Sequence, residues 1–237
     1  MTGELPPAAG YRYALPEGWL HIDLHPRRRE LAVRRAVRAR VRRDPRLAPH
    51  LARLDRLFQH EAATAAATGA RRISLLAEEI GPAVVTAAVT FVVERRAGPA
   101  LTATEVAEAL RAGAAVDPAE VAEVAEVAVV PLIQQDAVRR VWTDRLAGAD
   151  EWEVPHRIWQ LVAPWPGRSD LALLTMSSAC RPLWPILGAT FDACLSTFHW
   201  TWESPAPDMP APPDMAAPPD AEGLGGAAAG PRRAKAV

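Results

Sequence analysis

The 237-residue chain predicts an α+β sandwich, an antiparallel sheet of about six or seven strands covered by an αα-hairpin and a C-terminal helix. Three observations carry that expectation. Strand-like runs follow one another directly at 72–94 and again at 135–177, which suits hairpins and not parallel crossovers. Two amphipathic segments lie before them, between 26 and 68. A third closes the core at 183–198.

Taken in order, Trp19 to Leu24 alternates, with Leu20, Ile22 and Leu24 on one face and Trp19, His21 and Asp23 on the other, as in a half-buried strand. Pro26 suits the first helical position and opens an Arg-rich helix, 27–43, with an apolar stripe of Val33, Val37 and Val41. Pro45 interrupts it. A second helix is expected from about Leu47 to Thr68, carrying Leu47, Leu51, Leu54 and Phe58 on one face and ended by Gly69. Arg72 to Glu79 and Ala83 to Glu94 read as strands joined at Gly81-Pro82; the second is apolar on both faces and so central. Thr102-x-x-Glu105 is a capping box for a short helix to about Ala112. The three-residue recurrence of Glu120, Glu123 and Glu126 fits neither template, and a strand ending at Pro131 is the preferred reading. Extended runs follow at 135–145, 154–163 and 170–177, the last two joined by the turn PWPG at 164–167. The closing helix, from about Leu183 to Phe198, presents Leu187, Phe191, Leu195 and Phe198.

The organisation is then an N-terminal stretch 1–13, a single α+β domain 14–202 and a Pro/Ala-rich tail 203–237 that has too few large apolar residues to order itself. With 27 basic and 28 acidic residues, the chain is no bulk-charge binder of nucleic acid. The start of the chain has no signal-peptide pattern, and the longest apolar run, 82–93, is too short to span a bilayer. Cys180 and Cys194 are expected to be reduced core thiols, which places the protein in the cytoplasm.

Three stretches together carry a family resemblance: ALPEGWLHIDL at 14–24, PWPG leading into LALLTMSSA at 164–179, and FDACLSTFHW at 191–200. They resemble a group of small actinobacterial proteins of unassigned function, found around type VII secretion genes and elsewhere, with a PsbP-like α/β/α sandwich that also includes LpqN-type lipoproteins. The resemblance implies that fold. It also implies an accessory role, possible in type VII secretion, and it transfers no active site.

The chemistry-bearing candidates are few. His21, Asp23 and His25 share one strand face, but neighbours two apart diverge too far to hold one ion, so no metal is assigned. Twelve Arg against three acids between 27 and 56 form the most unusual segment, balanced by an acidic stretch at 102–126. Arg34, Arg35 and Arg38 are therefore candidate contacts for an acidic protein partner, with nucleic acid or an anionic surface not favoured. The tryptophans cluster late in the core. Trp152 and Trp165 lie beside turns, and exposure is expected for both as partner contacts or as the wall of a ligand cleft. Ser177, Ser178 and Cys180 lie at a strand end, where a nucleophile can sit. No G-x-S-x-G, P-loop, G-x-G-x-x-G or H-E-x-x-H motif is present, so no catalytic residue and no cofactor are assigned. The leading expectation is a non-enzymatic adaptor that binds another protein; the alternative is a small-molecule binding module or hydrolase.

Overall fold

A computed structural model describes residues 8–81, 83–114, 123–147 and 153–202. It is α+β, with nine strands and four α-helices among the described residues. Seven strands form one antiparallel sheet: β2 (Leu20–Asp23), β3 (Arg72–Ile80), β4 (Ala83–Glu94), β5 (Glu123–Pro131), β6 (Asp136–Ala147), β7 (Glu153–Pro164) and β8 (Leu171–Ser178). They lie in the order β2-β3-β4-β8-β7-β6-β5. As the apolar character of 83–94 on both faces requires, β4 is an inner strand, flanked by β3 and β8. Two short strands not read from the sequence, β1 (Gly10–Arg12) and β9 (His199–Thr201), pair with each other as a separate ribbon.

The helices divide between the two faces. On one face α1 (Arg29–Arg43) and α2 (Leu51–Ala67) bury Val33, Val37, Leu54, Phe58, Ala62 and Ala65 against Ile22, Ile73, Leu75 and Ala88. Farther along the same face, α3 (Ala103–Ala114) sets Val106 and Ala107 on Val138, Val162 and Leu171. The opposite face takes α4 (Trp184–Ser196), whose Leu187, Phe191 and Leu195 meet Val89, Phe91, Trp159, Leu161, Leu174 and Met176. There Gly188 is required by close approach, because a Cβ on it would lie 3.0 Å from Trp159 Nε1.

Several local expectations shift. The first helix starts at Arg29, three residues after Pro26, which lies in a preceding turn. The second starts at Leu51, because Pro45–His50 winds as a 3-10 turn capped by the Asp44 side chain. Leu51 consequently falls off the buried stripe and is 38% exposed. Gly69 ends α2 at φ +87°, a conformation open to glycine at little cost. The capping box forms as read: Thr102 N–H donates to Glu105 Oε2 at 2.7 Å and Glu105 N–H to Thr102 Oγ1 at 3.3 Å.

Candidate functional site

His156 at the start of β7 and Ser177 near the end of β8 belong to neither apolar patch. A cavity of about 320 Å³ opens there, between α2 and the sheet. Its floor is apolar, from Leu57, Phe58, Leu75 and Ala88. Its polar lining comes from Arg53, Arg56 and Glu61 of α2, Thr86 of β4, His156 of β7, and Ser177 and Ser178 of β8. Register explains the convergence. Ser177 pairs with Ile158, so His156, two residues back, shares its face of the sheet. On α2, Glu61 follows Phe58 by three residues and so stands beside the buried stripe.

Electrostatics set the character of this cavity. Burial pushes the Glu61 carboxyl above its ordinary value of 4.5, while positive charge at His156 and His60 pulls it back only in part. His156 is buried, and its Nδ1 lies 3.0 Å from the Val154 carbonyl oxygen. A carbonyl only accepts, so Nδ1 carries the proton in this contact. With Arg53 and Arg56 at the opening, the lining carries two fixed positive charges against one weakened acid. Such a cavity favours an anion with an apolar body.

The serines differ. Ser178 Oγ donates to the Thr86 carbonyl at 2.7 Å and accepts the Cys180 N–H at 3.1 Å, so its hydroxyl is committed to holding the β8 end. Ser177 is half-buried on the cavity side. Among the described residues no hydrogen bond joins it to His156. Cys180 and Cys194 are both free; burial pushes the Cys194 thiol up to about 12, and it packs in the α4 core.

The remaining sequence candidates lie elsewhere. Arg34, Arg35 and Arg38 are exposed on α1, and Arg34 pairs with Glu30 of its own helix at 3.2 Å. The acidic α3 packs over β5, β6 and β7, away from α1, so the expected neutralisation across the fold is not made by that helix. Arg40 is a different case: its Nε donates to the Ala77 carbonyl at 2.8 Å and fastens α1 to the sheet. His21 Nδ1 sits 2.8 Å from Ser74 Oγ, and Asp23 accepts the His25 N–H.

Trp165 corrects the expectation of exposure. It is 8% exposed, donates its indole N–H to the Ala8 carbonyl at 2.9 Å and packs 4.7 Å from Trp200. The PWPG turn places the ring under the chain entering β1, and local turn signals say nothing about that long-range cover. Trp152 lies outside the described residues, as does the tail 203–237.

Among the described residues no helix is long and apolar enough to cross a membrane, and no group of three His, Cys, Asp or Glu side chains is placed to hold a metal ion. No protein-family model matches the chain, and no curated protein matches it either.

Proposed function

We propose that this protein is a small-molecule binding module that takes up an organic anion in the cavity between α2 and the sheet. The carrying observation is the union of an apolar floor (Phe58, Leu75, Ala88) with a polar lining of Arg53, Arg56, Glu61 and His156 in about 320 Å³. A carboxylate-bearing ligand would set its charge near the arginines and its apolar body on the floor. Glu61, with its raised pKa, would bind the anion best when protonated, donating a hydrogen bond in place of opposing the charge. Binding and not catalysis is the reading, because the Ser178 hydroxyl is committed and no Ser177–His156 hydrogen bond is present among the described residues. Calorimetric titration with hexanoate and phenylacetate tests it. Binding that weakens at least tenfold in Arg53→Glu supports the reading, and no binding of either acid at millimolar concentration overturns it.

A second reading, the cytoplasmic protein adaptor, is favoured by the exposure of Arg34, Arg35 and Arg38 on a helix not covered by acidic α3. Membership of the actinobacterial family with a PsbP-like sandwich and a link to type VII secretion belong to this proposal as well. Its support is the antiparallel sheet with helices on both faces. Capture of an acidic protein that is lost in the triple Glu variant of these arginines, with cavity binding intact, would favour the adaptor.

A further inference from the structure

A second concavity lies at the opposite end of the strands. Arg72 starts β3, Arg95 follows β4, and Arg168 and Asp170 lie between β7 and β8, whereas the cavity above uses the start of β4 and the end of β8. This cleft, of about 600 Å³, is lined by Arg71, Arg72, Arg95 and Arg168 around a wall that includes Tyr11 and Phe91. Tyr11 stacks on Phe91 with ring centroids 3.4 Å apart, which makes the wall rigid. Both Arg71 and Arg72 act on the Tyr11 phenol, drawing its pKa down against the larger upward push of burial. Arg71 and Arg72 thus share the cleft lining with the Tyr11 ring.

Arg168 lies over the Trp165 ring at 5.5 Å, and Arg72 stands opposite Asp23 in the β2–β3 register. Among the described residues none of the four forms an ion pair. The cleft also holds two carboxylates, Asp23 and Asp170, which accept the His25 N–H at 3.0 Å and the Arg96 N–H at 3.4 Å and offset part of the arginine charge. Four arginines against two aspartates leave the concavity with an excess of positive charge, which an anion bound between the arginines would offset. Guanidinium forks match phosphate oxygens two at a time, and a group with several phosphoryl oxygens can engage more than one fork.

We propose that this cleft is a binding site for the diphosphate group of a small molecule, separate from the cavity beside α2. Inorganic pyrophosphate is the probe, titrated calorimetrically into the full chain. Wild type is expected to bind it, with at least tenfold loss in the Arg72→Gln/Arg95→Gln variant. Two controls must keep wild-type affinity: Arg53→Glu at the other cavity, and Arg34→Glu/Arg35→Glu/Arg38→Glu on the convex face of α1. Thermal melts establish that each variant is folded, and Arg168→Gln gives a second reading of the cleft should the double variant unfold. Equal loss in the α1 variant would reduce the effect to bulk charge and overturn the proposal, as would no binding by wild type. Titration with ADP and with vesicles carrying a phosphoinositide then separates the sources of the diphosphate or clustered phosphate. Competition of either with pyrophosphate is expected; failure of both to compete would overturn the assignment to a small molecule's diphosphate.

Discussion

The two faces of the sheet are built differently. Beneath α4 the packing is continuous and aromatic: Trp159, Phe191, Phe198 and Trp200 join one cluster with the β1–β9 ribbon sealing its end. Beneath α1, α2 and α3 the core is split into two patches, and Glu61, His156 and the α2 arginines line a cavity bordered by Phe58, Leu75 and Ala88 of the first. A continuous core keeps an ionisable group neutral or paired, as with the Cys194 thiol and the Arg139–Asp192 pair on this side, because an unpaired charge there is costly. The split core tolerates one, since its cavity admits solvent or a ligand. What the difference teaches is that on the α1–α3 side a buried ionisable group stands beside a cavity and outside the apolar patches.

The largest test of that contrast is Phe58→Ala. Phe58 is 1% exposed and floors the cavity, so its loss should cost about 3–5 kcal/mol by the usual cost of truncating a core aromatic, read as a lower midpoint in urea. Filling of the enlarged cavity by hexanoate should restore part of that loss. If the acid restores nothing, the floor does not face a ligand. A smaller effect is expected on the sealed face. Gly188→Ala places a methyl 3.0 Å from Trp159 Nε1 and should cost about 1–3 kcal/mol, the range for overpacking, with no change in ligand affinity.

Glu61→Gln sharpens the comparison through pH. Because burial raises the folded pKa of Glu61 above 4.5, the folded chain holds this proton more tightly than the unfolded one. The resulting stabilisation is complete below 4.5 and is lost as pH rises through the folded value. The Gln variant should therefore melt above wild type at neutral pH, and the two curves should converge as pH falls toward 4. A constant difference at all pH values would mean that the carboxyl is not desolvated. The smallest effect belongs to Arg34→Glu/Arg35→Glu/Arg38→Glu, exposed on α1, where each change should stay within about 0.5 kcal/mol. A large fall in melting temperature would make these arginines structural, as Arg40 already is.

Much of the architecture was legible because it rests on local pattern. The β4 boundaries, the capping box at Thr102 and the apolar stripe of α4 follow from period and spacing alone. The β1–β9 ribbon was not legible, since three-residue strands carry no periodic signal and their pairing spans nearly the whole chain. Burial of Trp165 failed for the same reason. The cavity was half visible. Ser177 and Ser178 stand at a legible strand end, whereas Glu61 and His156 belong to no sequence motif. The available signals were an acid on the buried stripe of α2 and a histidine in register with Ile158, Gln160 and Val162. Neither points to a site until the strand order brings β7, β8 and β4 beneath α2.

The most direct test of the cavity is proton-linked binding, measured as the affinity for hexanoate at pH 5.5 and pH 7.5 in wild type and Glu61→Gln. Guanidinium charge does not vary over this range, so the comparison with the Gln variant isolates the Glu61 carboxyl. Wild type should bind more tightly at pH 5.5, and the Gln variant should bind more tightly than wild type at pH 7.5 with a flatter pH dependence. Equal affinities for the two proteins at both pH values, or no binding to either, would contradict the assignment of Glu61 to an anion site.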